Sequence, residues 1–200
     1  MDVKEVVEET LPPKFIYTER KMKENKLKWY IADKEYVNYL RQFDEKVENI
    51  DYNTKLKPYI GILITINEFN YYVPISSAKE KHYKIREGMD FIKIMQDDKI
   101  IGVLNLNNMI PISDENVKVL KYKEIENYRD FGSDKEKTLY ISFLSFELNL
   151  INDKMEKIKK SAMKLYNEKI NNPTSNVSKR CCDFKLLEEK GQLYNKKASN

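Results

Sequence analysis

The chain has 200 residues, enough for one domain with a substantial core and cramped for two. Its 36 Lys and Arg against 32 Asp and Glu give a net charge of only +4, but 12 of the basic and 6 of the acidic residues lie in 151–200, so the last quarter carries +6 and the rest −2. The two cysteines, Cys181 and Cys182, are neighbours, which excludes a disulfide framework and fits a reducing cytoplasm, and no apolar run approaches the ~20 residues of a membrane helix.

Residues 1–26 read as an N-terminal extension, with no signal-peptide pattern: Met1–Glu9 is acidic, Leu11-Pro12-Pro13 breaks any helix, and Glu19–Lys26 is nearly all charge. Residues 27–200 read as a single domain. Leu27–Ile31 is a first strand. Asp33 caps a helix over Lys34–Asp44, in which Tyr36, Val37, Leu40 and Phe43 recur at helical spacing. Lys46–Lys57 is a polar loop holding Tyr52 and closed by Pro58. Tyr59–Ile66, the tight turn Asn67–Glu68 and Phe69–Ile75 make a hairpin, followed by a basic loop, Ser76–Gly88. Phe91–Met95 and Ile100–Asn105 make a second hairpin about Gln96–Asp98; Ile110–Ile112 ends that region and Val117–Tyr122 is a last strand.

From Asp134 the period changes. Leu139, Phe143, Phe146 and Leu150 mark one helical stripe, and Ile151, Met155, Ile158, Ala162 and Leu165 a second, rotated one. Two helices or one bent helix satisfy this pattern, and Asn171-Asn172-Pro173 stops it. Asp183–Lys190 is a short closing helix. The sum is an α+β domain, a mainly antiparallel sheet with helices before and after it.

Familiar chemistries are missing. There is no phosphate-binding glycine loop and no dinucleotide fingerprint, and no Asp/Glu cluster suggests a pair of magnesium ions. One histidine excludes a two-imidazole acid–base pair. Cys181-Cys182 with His82 would be a poor zinc site. What remains is Ser76-Ser77-Ala78-Lys79 at a strand exit. A lysine two residues from a serine lies beside it in extended chain, where its ammonium can hold a phosphate and stabilise a pentacovalent transition state. The attacking group would then be the RNA's own 2′-hydroxyl, giving 2′,3′-cyclic phosphate and 5′-hydroxyl ends. The same four residues also make an ordinary loop.

His82 is either an exposed loop residue or a general acid for the leaving oxygen, and with Lys81 it makes the loop a candidate RNA contact. Lys57 is placed to reach the same rim. Tyr36 sits on an apolar stripe and reads first as core; Tyr52, in a polar loop, suits base stacking or phosphate donation. Phe184 reads first as a core anchor and second as a stacking ring.

Several segments, in order and at compatible spacing, resemble one family. They are Leu27–Ile31, Tyr36–Val47, Lys57-Pro58-Tyr59-Ile60-Gly61-Ile62, Val73–Lys79, Leu104-Asn105-Leu106-Asn107-Asn108-Met109-Ile110-Pro111-Ile112 and Cys182–Lys190. The set is similar to the ToxN/AbiQ toxins, the protein halves of type III toxin–antitoxin and phage-abortive systems. The resemblance implies a metal-independent endoribonuclease, without cofactor, that cuts single-stranded adenine-rich RNA, including cellular and phage mRNA. It implies a strongly twisted sheet flanked by helices, similar to Kid/MazF-type toxins. It also implies inhibition by a repeat antitoxin RNA folded as pseudoknots, which the protein processes, in a closed protein–RNA assembly. The family's active-site residues fall on Ser76, Ser77, Lys79, Lys57 and Tyr52, with further RNA contacts at Tyr36 and Phe184. A binding protein that holds structured RNA without cutting it is the main competing function; a Ser/Lys hydrolase is weaker, because no oxyanion hole is visible.

Overall fold

The computed structural model describes residues 26–49, 55 and 57–198. Tyr52 and all but the last residue of the N-terminal extension lie outside them.

β1 (Lys28–Ala32) leads into α1 (Lys34–Arg41). The Asp33 carboxylate caps this helix by accepting the Tyr36 N–H at 2.8 Å, and Tyr36, Val37 and Leu40 form the buried face. β2 (Tyr59–Gly61), β3 (Thr65–Ile66) and β4 (Phe69–Ser77) follow. The single strand expected over 59–66 is therefore interrupted: β2 lies between β1 and β4, whereas β3 pairs with β4 alone. The chain between them stays on β4, since Leu63 N–H donates to the Tyr71 carbonyl and Tyr71 N–H to that of Ile64. Gly61 lies against the Tyr72 ring, where a β-carbon would overlap it. Asn67, in the expected turn, has φ 53°, a left-handed value that asparagine tolerates.

β4 also departs from expectation. It does not give way to a loop after Ile75 but continues through Ser77, and only then does a short helix, α2 (Glu80–Lys84), begin. The reason is non-local. β5 (Phe91–Gln96) and β6 (Lys99–Asn105) form the expected hairpin, and β6 takes Ile75, Ser76 and Ser77 opposite Leu104, Val103 and Gly102. A 3₁₀ turn over Leu106–Asn108 then brings β7 (Ile110–Ile112) onto the same edge of β4, nearer its start. β8 (Val117–Val119) closes the sheet beside β1; it is shorter than expected because Tyr122–Asn127 turns into 3₁₀ helix. Every pairing among these eight strands is antiparallel.

The helical region is two helices, α3 (Asp134–Asp153) and α4 (Met155–Asn171), meeting at Lys154. The stripe expected to bury α3 is instead its open side, with Leu139 62%, Phe143 43% and Phe146 39% exposed. α3 buries Leu144, Glu147 and Ile151, and the Leu144 carbonyl accepts the indole N–H of Trp29 at 2.9 Å. Both sides of this helix are rich in apolar residues, so periodicity did not choose between them; the sheet did. On α4 the buried set is Ile158, Lys159, Ala162, Leu165 and Tyr166; of the expected stripe, Ile151 is buried too but belongs to α3, and Met155 is half-buried. α5 (Asn176–Arg180), not foreseen, precedes α6 (Phe184–Ala198), which runs past Lys190 through Gly191. A β-carbon at Gly191 would lie 2.6 Å from Tyr36 Oη and 3.0 Å from Phe69 Cε1, so the missing side chain lets α6 close on α1 and β4. Cys181 and Cys182 are free and buried. Among the described residues no helix is long and apolar enough to cross a membrane.

Candidate active site

The end of β4 gathers the predicted residues by register. Tyr59 and Ile60 of β2 stand opposite Pro74 and Val73. Continued two residues outward, that antiparallel register sets Lys57 opposite Ser76, with both side chains on one face. The contact follows: Lys57 Nζ lies 3.3 Å from Ser76 Oγ, across 19 residues of sequence. Lys57 is also ion-paired with Glu48, whose other carboxylate oxygen accepts the Asn108 side-chain amide at 2.7 Å. On the opposite edge of β4, Asn105 stands diagonal to Ser76, two residues beyond its partner Val103, and its Nδ2 reaches Ser76 Oγ at 3.5 Å.

Ser77 points to the other side of the strand by the same alternation, and is exposed. Lys79, two residues on, is still extended, with φ −138° and ψ 154°, before α2 begins at Glu80. Both, and Lys81 on α2, are open to solvent. The register partner of Ser77 is Gly102, over which Glu147 of α3 is laid: its Oε1 would be 2.5 Å from a β-carbon there. Burial pushes the Glu147 carboxyl up to about 7.

Three expected RNA contacts are not at this surface. His82 is only 5% exposed; its Nδ1 accepts the Lys79 N–H at 3.1 Å, and its ring lies 5.7 Å from that of Phe91. Burial lowers its pKa, and the neighbouring Lys81, Lys79 and Lys93 lower it further, so it is held neutral as a brace for the backbone at Lys79. Tyr36 is wholly buried and donates its hydroxyl to the Pro111 carbonyl at 2.8 Å. Phe184 is also wholly buried, stacked on Tyr166 and edge-on to Tyr71. Neither ring has a face left for a base.

Sequence reasoning missed Glu48, Asn105, Asn108 and Glu147. The asparagines are ordinary turn residues by type, and their one signal was the segment Leu104–Ile112 in which they stand. Among the described residues no group of three or more His, Cys, Asp or Glu is placed to hold a metal ion. A hollow lined by Glu68, Phe69, Ser113, Asp114, Glu115, Gln192 and Asn195 lies at the opposite end of β4 and is acidic, the wrong sign for a polyanion.

Hydroxyls and ammonium groups gathered on both faces of one strand end are a donor set of the kind that suits a phosphate at a sheet rim. The chain belongs to the family described as Toxin ToxN, type III toxin-antitoxin system, whose model matches residues 28–192. It is 29% identical over 172 residues to the endoribonuclease ToxN of Bacillus thuringiensis subsp. kurstaki, covering 84% of each chain. The structure is similar to that of AbiQ, a lactococcal anti-phage endoribonuclease of the type III toxin–antitoxin system, with TM-score 0.70 and 27% identity over 86% of this chain and 99% of that one. It is equally similar to a structure solved in a study of selective toxin inhibition by a non-coding RNA pseudoknot, with TM-score 0.71 and 28% identity over the same shares.

Proposed function

We propose that this chain is an endoribonuclease toxin, cytoplasmic and restrained by a non-coding RNA folded as repeated pseudoknots, and that it cuts single-stranded adenine-rich RNA of cell or phage at the end of β4. The 2′-oxygen attacks the adjacent phosphorus, the bond to the 5′-oxygen breaks, and the products are a 2′,3′-cyclic phosphate and a 5′-hydroxyl. No metal ion enters the step. Ser77 and Lys79 hold the non-bridging oxygens as their charge grows, Ser76 and Lys57 support them from the other side of the strand, and Tyr52 adds a further phosphate contact. Lys81 and the basic last quarter hold RNA beyond the cut, and antitoxin and toxin alternate in a closed assembly. The observation that carries this reading is the meeting of Lys57 with Ser76 across two strands, one residue from Ser77 and three from Lys79.

The test is cleavage of an adenine-rich RNA by RNA-free protein in EDTA. Cyclic-phosphate ends are expected, with Ser77→Ala and Lys79→Ala slower by roughly 100- to 1,000-fold and tolerated by cells without antitoxin. Undiminished cutting by both variants removes this site from the mechanism. Intact RNA with a salt-sensitive mobility shift assigns the protein to the non-cutting binders instead.

A further inference from the structure

The asparagine-bearing segment Leu104–Ile112 has no part in the reaction so far, yet two of its side chains end on the site. We infer that Asn105 and Glu48 are positioning residues which, with Lys57, fix the Ser76 hydroxyl as a hydrogen-bond donor to an RNA phosphate on the Lys57 side of β4. The inference rests on the nuclease reading above and deepens it.

A serine hydroxyl has one proton and two acceptor lone pairs. Lys57 Nζ and Asn105 Nδ2 can only donate, and they approach Ser76 Oγ at 3.3 Å and 3.5 Å from opposite edges of β4. With both lone pairs addressed, the proton is turned away from both neighbours and is left for a third partner. These distances are long, as catalytic hydrogen bonds often are before substrate binds and shortens them.

The arrangement is anchored. Left alone, Lys57 would swing on its four-carbon stem. Glu48 holds it, and Asn108 holds Glu48 at 2.7 Å. Asn108 Oδ1 in turn accepts from Asn107 Nδ2 at 2.6 Å, and the Asn107 carbonyl accepts the N–H of buried Cys182 at 2.8 Å. Buried Leu106, between the two asparagines that face the site, and buried Met109, just after the second, fix the backbone of the turn. At the end of β6, Asn105 serves Ser76 through its amide N–H, a donor that an apolar residue there would lack. An aspartate at 105 would accept the hydroxyl's hydrogen bond itself and turn the serine O–H away from the RNA.

The experiment is a double-mutant cycle on single-turnover cleavage of an adenine-rich RNA, with melting temperatures taken for every protein. Ser76→Ala should cost about 100-fold. Asn105→Asp should cost nearly as much, and Asn105→Ala about 3- to 10-fold, because an unfilled lone pair misdirects the proton only part of the time. In the Ser76→Ala background either change at 105 should add less than about 3-fold. Glu48→Gln should behave likewise against Lys57→Ala. Equal losses in both backgrounds overturn the inference, since added charge or general damage would not need Ser76. Should Asn105→Asp fail to fold, the Asn105→Ala pair decides alone. An undiminished rate for Ser76→Ala also overturns it, and reaches the nuclease site itself only if Ser77→Ala and Lys79→Ala are undiminished too.

Discussion

Replacing Glu147 by glutamine should make the protein more stable at neutral pH and leave it unchanged in acid. Glu147 is 4% exposed, sealed between α3 and the sheet over Gly102, and burial raises its carboxyl from an ordinary 4.5 to about 7. The folded state therefore binds this proton more tightly than the unfolded chain. Below about pH 4.5 both states are protonated and the group costs nothing extra; between that value and about 7 the unfolded chain has lost the proton and the folded one keeps it. Stability from this group falls as pH rises through the window, at about 1.4 kcal/mol per pH unit, and levels off above it after a loss of about 3 kcal/mol. Glutamine fills the same space, stays neutral throughout and escapes that loss. Urea unfolding at pH 5, 6, 7 and 8 reads it directly, and the single tryptophan, Trp29, is a local reporter because its indole is bonded to the Leu144 carbonyl one turn away on α3. Subtracting variant from wild type cancels every other titrating group. The two stabilities should coincide near pH 4.5 and separate by up to about 3 kcal/mol at pH 8. Parallel curves across this range would refute the argument, for they would mean that water or a cation reaches the carboxylate in the folded protein.

Tyr36→Phe should lose about 1 kcal/mol, the net worth of its buried bond to the Pro111 carbonyl, with RNA cleavage unchanged; slower cleavage at unchanged stability would return Tyr36 to the RNA surface. Gly61→Ala should cost about 2–3 kcal/mol, because the added methyl overlaps the buried Tyr72 ring, and a urea midpoint equal to wild type would show that the ring has room to move.

What was legible in the sequence was local. Asp33 before a helical stripe, Asn67-Glu68 between two apolar runs and Asn171-Asn172-Pro173 after α4 each act within a few residues, and each element begins, turns or stops there. What was not legible depends on partners far away. Ser76 and Ser77 are strand because Val103 and Gly102 pair with them, although by type they suit a loop. α3 offers apolar residues on two sides, and Trp29, 115 residues from Leu144, marks the side that is buried. His82 looked accessible for want of any local reason to be buried; Phe91 and the Lys79 backbone supply that reason in space. Ser76, Ser77, Lys79 and Lys57 could be picked out because hydroxyls and lysines near a strand end suggest phosphate by their own chemistry. Glu48, Asn105 and Asn108 carry no such signal until the strands are paired.

The same pairing explains why the site stands where it does. β4 has nine residues because each edge serves two shorter strands, β3 then β2 on one, β7 then β6 on the other. On the first edge the ladder stops at Tyr59 and Pro74, and Pro58 precedes it; neither proline has an N–H to continue the bonding. The two chains still run on in register for two residues, so the next pair, Lys57 and Ser76, meets through side chains instead of backbone. On the second edge β6 continues to the end of β4 and brings Asn105 to the same hydroxyl. A strand end with one edge bonded and the other released in register is rigid and open at once, which is what a group that must meet a phosphate in one orientation requires.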